Sequence, residues 1–183
     1  MAGVTLVGRV LDVSFERAGE QLASALTAGP EGRPEFVLHL GVAVGSERVR
    51  IEEQAVNTRI SPSGDVDGAC FEATAIDDAL QPSHVRCSAV AAGPIVDRLN
   101  DRGLPARRST DAGRYVCNCL YFRSLQMLED QGVPCLFCHL PEPAAVRSST
   151  SSEAPAWTRD RLLEAALRVA EMLAGASGAR GRS

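Results

Sequence analysis

The chain has 183 residues, 45% of them apolar and 23% charged, which suits one soluble globular domain with a sizeable core and excludes wholesale disorder. Its 19 basic residues stand against 23 acidic ones, a formal net charge of −4, so the chain has no overall attraction for nucleic acid or an anionic membrane. Aromatic residues make up 4%, too few for a base-stacking platform.

Residues Met1 to Val10 lack a basic region ahead of an apolar core, and no run of about 18 apolar residues follows anywhere. The expectation is a cytoplasmic chain in a reducing setting, with no membrane and no nucleic acid as partner and no disulfide framework for its six cysteines. Val4 to Val13 is rich in Val and Leu and reads as a buried strand. Ser14 suits a helix cap, and Phe15, Ala18, Leu22, Ala25 and Leu26 recur at helical spacing toward Gly29-Pro30. Phe36 to Val42 reads as a central strand. Arg48 to Asn57 alternates in part and reads as a strand with one polar side. Ser61 to Arg86, scattered with Pro, Gly, Ser and Asp, reads as a long connection.

Helix is expected over Ala89 to Asn100, a strand over Ala106 to Thr110, and helix again over Tyr115 to Leu128. Pro134 to Pro141 reads as a short buried strand and Ala144 to Ala156 as a loop. Thr158 then caps a helix carrying Leu162, Leu163, Ala166, Leu167, Ala170 and Leu173. Residues 1–175 form a single domain in this reading, and 176–183 a disordered Gly-rich tail. Strands alternating with helices imply an α/β fold with helices on both faces of a sheet.

The cysteines sit at 70, 87, 117, 119, 135 and 138. Cys135-Leu136-Phe137-Cys138-His139 matches the spacing used for covalent haem attachment, but it lies on an expected buried strand, where two small packed cysteines are the simpler account. A zinc site from Cys117, Cys119, Cys135 and Cys138 conflicts with the tight Cys117-Asn118-Cys119 spacing. A redox pair at Cys135 and Cys138 lacks the helix start that lowers a thiol pKa. Cys117 does lie near an expected helix start, after the turn-like Thr110 to Arg114 segment. Free N–H groups there favour a thiolate and stabilise an oxyanion. A nucleophilic cysteine needs a base. Of the three histidines, His84 lies in the irregular connection and His39 lies mid-strand, as a hydrogen-bonded core histidine would. His139 ends a strand, which makes Cys117 and His139 a candidate pair.

Asp111-Ala112-Gly113-Arg114-Tyr115-Val116-Cys117-Asn118 resembles the nucleophile motif of the pyroglutamyl peptidase I family, the pyrrolidone carboxyl peptidases. Phe137-Cys138-His139-Leu140-Pro141 resembles that family's strand ending in the catalytic histidine. Gly41 to Gly45, followed by Ile51 to Asn57, is similar to its Gly-rich strand end and glutamate segment. The order Glu, Cys, His agrees, and the likeness extends from about Val10 to Leu173. The resemblance implies a three-layer α/β/α sandwich around a twisted mixed sheet, of the phosphorylase/hydrolase-like kind. It implies Cys117 as nucleophile, His139 as general base and acid, and Glu52 as the group that orients His139. Ile60, Tyr115 and Val116 match positions at the pyroglutamate pocket. Glu53, the neighbour of Glu52, is expected to face the other way. The implied activity is that of a cysteine peptidase removing N-terminal pyroglutamate from peptides, with no metal and no cofactor.

The chain departs from the pattern in places. The family's first strand, Gly-Phe-x-Pro-Phe-Gly loop and following helix have no counterpart, so the reading is of an N-terminally shortened relative. Val42 stands where the family has Gln, and Ser46 stands near its Arg. A missing polar partner for the lactam commonly costs about 0.5–1.5 kcal/mol. The expectation is an intact triad with weak or lost activity. Unpaired sheet edges would also favour a homo-oligomer. The alternatives are an inactive relative acting as a binding protein, or a Cys-rich metal- or redox-binding module.

Overall fold

The structure is a computed structural model, and it describes residues 4–27, 32–143 and 157–180, the last five by backbone alone. In chain order the elements are α1 (Arg17–Thr27), β1 (Val37–Ala43), β2 (Val49–Glu52), β3 (Gln54–Val56), β4 (Arg59–Ser61), β5 (Phe71–Thr74), β6 (Val85–Cys87), α2 (Ala92–Asn100), β7 (Ala106–Ser109), α3 (Val116–Leu128), β8 (Cys135–Pro141) and α4 (Arg159–Arg180). The central sheet has the order β1-β8-β2-β7. β1 runs parallel to β8, β8 antiparallel to β2, and β2 parallel to β7, so the sheet is mixed.

Alternation along the strands builds two cores. Leu136 and Cys138 of β8, Val49 and Ile51 of β2, and Ala106 of β7 face α2 and α4. Those helices answer with Ile95 and Leu99, and with Ala165, Val169 and Leu173. Fully burying each larger aliphatic side chain contributes roughly 1.5–3 kcal/mol. On the opposite face Cys135 and Phe137 pack against Tyr121, Phe122, Leu125 and Leu128 of α3. α1 then covers the start of α3, with Phe15 and Ala18 against Val116 and Cys119. Helices on both faces of a mixed sheet make the expected α/β/α sandwich.

The two expected caps are in place. Ser14 Oγ accepts from the Arg17 N–H at 3.1 Å, and Thr158 Oγ1 accepts from the Arg161 N–H at 3.3 Å. Each satisfies a first-turn donor that the helix itself cannot.

Several expected elements differ. Val4 to Val13 forms no strand and is largely exposed, Val10 almost completely. An apolar run becomes a strand only where a neighbour takes up its backbone groups. Here the Asp12 N–H donates instead to the Gln21 side chain at 2.9 Å, and the Val13 carbonyl accepts from Val66 at 3.2 Å. The Arg48 to Asn57 strand is two strands. At Glu53 the chain leaves the main sheet, and β3 pairs with β6. The 61–86 connection is not featureless, since β5 pairs with β4 inside it and β6 begins at its end. α4 continues to Arg180, into the stretch read as tail. The expected helix end near Gly29-Pro30 and the loop Ala144 to Ala156 lie outside the described residues.

Candidate active site

Register places one row of residues side by side across the sheet. Gly41 pairs with His139, and His139 pairs with Arg50. His139 alternates with Cys138, which belongs to the opposite core, so its ring faces the α3 side. Glu52, two residues beyond Arg50, shares that face and is fully buried.

The imidazole and the carboxylate meet. His139 Nδ1 and Glu52 Oε1 are 2.8 Å apart. A carboxylate only accepts, so the proton of this bond rides on Nδ1, and in the neutral tautomer the lone pair is then on Nε2. Arg50 Nε lies 3.0 Å from the same Oε1. The Arg50 guanidinium also donates to Ser109 Oγ at 3.1 Å and to the Asp111 carbonyl. It therefore ties the buried carboxylate to the segment that leads into α3. The Tyr121 hydroxyl donates to the Glu52 carbonyl at 2.9 Å, holding the strand end from the helix side. Phe137 packs beside the imidazole with ring centres 4.6 Å apart.

Cys117 sits at the second position of α3 and is half-buried. The turn before it is built by Asp111, whose Oδ1 accepts from the Gly113 N–H at 3.0 Å and from the Arg114 side chain at 2.8 Å. Gly113 takes φ +81°, a conformation that side-chain-bearing residues rarely adopt. Asn118 fixes the helix start against the strands opposite. It is fully buried, accepts from the Val56 N–H at 3.0 Å, and donates to the Val56 and Thr58 carbonyls at 2.8 and 2.9 Å. Burial pushes the Cys117 thiol above the ordinary range; the backbone N–H of Cys117 opposes this, and the charge of Glu52 adds to it. The resting group is thus a thiol that needs a base to become a nucleophile.

The remaining expected site residues divide. Ile60 and Tyr115 are both part-exposed. The Ile60 N–H donates to the Arg114 carbonyl at 2.8 Å, and the Tyr115 hydroxyl donates to the Gly64 carbonyl at 3.3 Å. Both border the turn before Cys117. The Val116 side chain is buried against Phe15, Ala18 and Cys119, as core packing would have it. Glu53 faces away from Glu52 and pairs with Arg108 at 2.8 Å. His39 is a buried core histidine, bonded to Ser124 Oγ at 2.7 Å. His84 is exposed.

The cysteines do not converge. Cys119, Cys135 and Cys138 belong to three different packed clusters. Burial pushes the Cys135 and Cys138 thiols up to about 12, far from the thiolate a metal or redox centre needs. Among the described residues no group of three His, Cys, Asp or Glu side chains is arranged to hold a metal ion.

Sequence reasoning passed over Arg50, Asn118 and the role of Gly41. Arg50 two residues before Glu52, on a strand, was the available signal, because that spacing puts both on one face.

The family model for pyroglutamyl peptidase matches residues 1–175. The chain belongs to that family. The pyrrolidone-carboxylate peptidase of Pyrococcus furiosus is 33% identical over 138 residues, 73% of this chain and 63% of that one. Its counterpart from Thermococcus litoralis is 34% identical over 136 residues, 73% of this chain and 60% of that one. The chain thus spans under two thirds of the length of these two relatives. The Klebsiella pneumoniae protein of the same name is 33% identical over 174 residues, 93% of this chain and 78% of that one. Among solved structures, the pyrrolidone carboxyl peptidase from Thermococcus litoralis superposes with a TM-score of 0.85 at 25% identity, covering 100% of this chain and 83% of that one. A mutant pyrrolidone carboxyl peptidase from P. furiosus gives 0.83 at 27% identity, covering 96% and 84%. The pyroglutamyl peptidase fold is therefore present here with the sheet, both helix layers and the Glu52–His139 contact.

Proposed function

We propose that this chain is a cysteine peptidase that removes N-terminal pyroglutamate from peptides. The observation that carries the reading is the 2.8 Å bond between His139 Nδ1 and Glu52, on the sheet face covered by α3, whose second residue is Cys117. Family membership supplies the substrate class.

In this mechanism His139 Nε2 takes the proton of the Cys117 thiol as sulfur attacks the carbonyl carbon joining pyroglutamate to the next residue. Glu52 holds the imidazole in the required tautomer and balances the imidazolium that forms. Unpaired N–H groups in the first turn of α3 stabilise the oxyanion. The imidazolium gives its proton to the departing amine. The same imidazole then takes a proton from water, which attacks the thioester and releases pyroglutamate. Ile60 and Tyr115 border the lactam slot with their side chains, and Val116 takes part through its backbone. Val42 stands where the resemblance has Gln, and an apolar side chain offers the lactam no hydrogen bond, so slow turnover is expected.

A fluorogenic pyroglutamyl amide tests this. Slow release that disappears in Cys117→Ala is the expected result. A folded wild-type sample with no release would leave a non-catalytic relative.

A further inference from the structure

The row across the sheet continues one strand beyond Arg50. In register, Arg50 of β2 pairs with Arg107 of β7, so Gly41, His139, Arg50 and Arg107 stand side by side on four neighbouring strands. Arg107 alternates with Ala106, which belongs to the opposite core, so Arg107 shares the sheet face of His139. Strands lie about 4.8 Å apart, which puts the Arg107 backbone roughly 10 Å from that of His139.

Arg50, Arg107 and Arg108 line an open cavity of about 610 Å³ together with Glu53, Ser109, Thr110 and Asp111. Most of its charges are matched. Arg108 pairs with Glu53, Arg50 faces Glu52, and the Asp111 carboxylate is taken by Arg114. Arg107 is exposed, and among the described residues no carboxylate lies within ion-pair distance of it. Among the described residues the cavity therefore carries one uncommitted cation, two strands away from His139.

We infer that this cavity receives a carboxylate on the leaving-group side of the substrate, within the first two residues after the pyroglutamyl group, and that Arg107 binds it. The inference rests on the proposed peptidase reading and names its preferred substrates. An extended peptide advances about 3.3–3.6 Å per residue, so these two residues cover the gap between His139 and the reach of a long arginine side chain. A guanidinium at this place matches a planar carboxylate with two parallel hydrogen bonds.

The test compares three peptides: pGlu-Glu-Ala-amide, its uncharged isostere pGlu-Gln-Ala-amide, and pGlu-Gln-Ala with a free terminal carboxylate. The expected kcat/KM favours a carboxylate-bearing peptide over the amide isostere by about fivefold, the size of a part-exposed ion pair. Whichever charged peptide is favoured identifies the source as side chain or chain terminus. The preference fades with added salt, survives in Arg107→Lys and inverts in Arg107→Glu. Equal kcat/KM for all three, or a preference unmoved in Arg107→Glu, overturns the inference while leaving the peptidase reading intact. If no peptide is cleaved, calorimetric binding of the same three to Cys117→Ser decides. Tighter binding of a charged peptide then retains the carboxylate site without the peptidase reading. Equal affinities, or no binding, overturn it.

Discussion

Gly41 shows how closely the site depends on single atoms. A Cβ at this position would come within 2.9 Å of the Phe137 ring and 3.1 Å of His139 Cδ2. Both rings would have to move, and the bond from His139 Nδ1 to Glu52 depends on where the imidazole lies. Gly41→Ala is therefore expected to lower kcat at least about tenfold, since small misplacements of reacting groups carry large rate penalties. Circular dichroism should show the fold retained; unchanged kcat would remove Gly41 from any positioning role. Gly41 has an ordinary backbone conformation, and open space is what it supplies. The sequence displays a glycine at the end of an apolar run, but the ring it makes room for lies far along the chain. Arg50 teaches the same lesson, because its contacts with Ser109 and Asp111 join its own strand, which also carries Glu52, to a segment far along the chain.

At the scale of elements, α3 is fastened to the sheet by a line of polar groups. Asn118 holds Val56 and Thr58, Tyr121 holds the Glu52 carbonyl, and Ser124 meets His39 of β1. These positions recur every three residues and so share one helix face. His39 makes this fastening sensitive to acid. Burial lowers its pKa from 6.5 to about 4. Between those values the unfolded chain binds a proton that the folded chain refuses. Stability is thus fully present above the unfolded value and falls as pH drops toward 4, by on the order of 3 kcal/mol in total. Urea midpoints measured from pH 7 to 4.5 should fall with acidity in the wild type and flatten in His39→Gln. Equal slopes in both would show that other groups control the acid response. The long helices and the four main strands were legible from their periodicity. β4, β5 and β6 were not, because strands of three or four residues are too short to display a period.

For the whole molecule, the sheet's open side matters. Among the described residues β1 pairs only with β8 and stands at the edge of the sheet. Leu40, Val42 and Val44 are at least half exposed there. An apolar edge with unpaired backbone groups invites pairing with another chain. Light scattering is expected to show association that grows with protein concentration. Val42→Lys should suppress it, as charge on an edge strand does. Concentration-independent monomer mass in the wild type would refute this. Among the described residues no helix is long and apolar enough to cross a membrane.

The alternation of strands and helices, the two caps and the three motifs that carry Glu52, Cys117 and His139 were determined by the sequence alone. Periodicity and capping act over a few residues, and a motif keeps its order wherever the chain goes. Tertiary structure decided that Val4 to Val13 finds no strand partner, that the chain leaves the main sheet at Glu53, and that Val116 turns into the core. It also decided that Gly41, His139, Arg50 and Arg107 share one row. Those outcomes depend on which distant strand supplies the neighbouring hydrogen bonds, and register across strands is a property of the folded sheet.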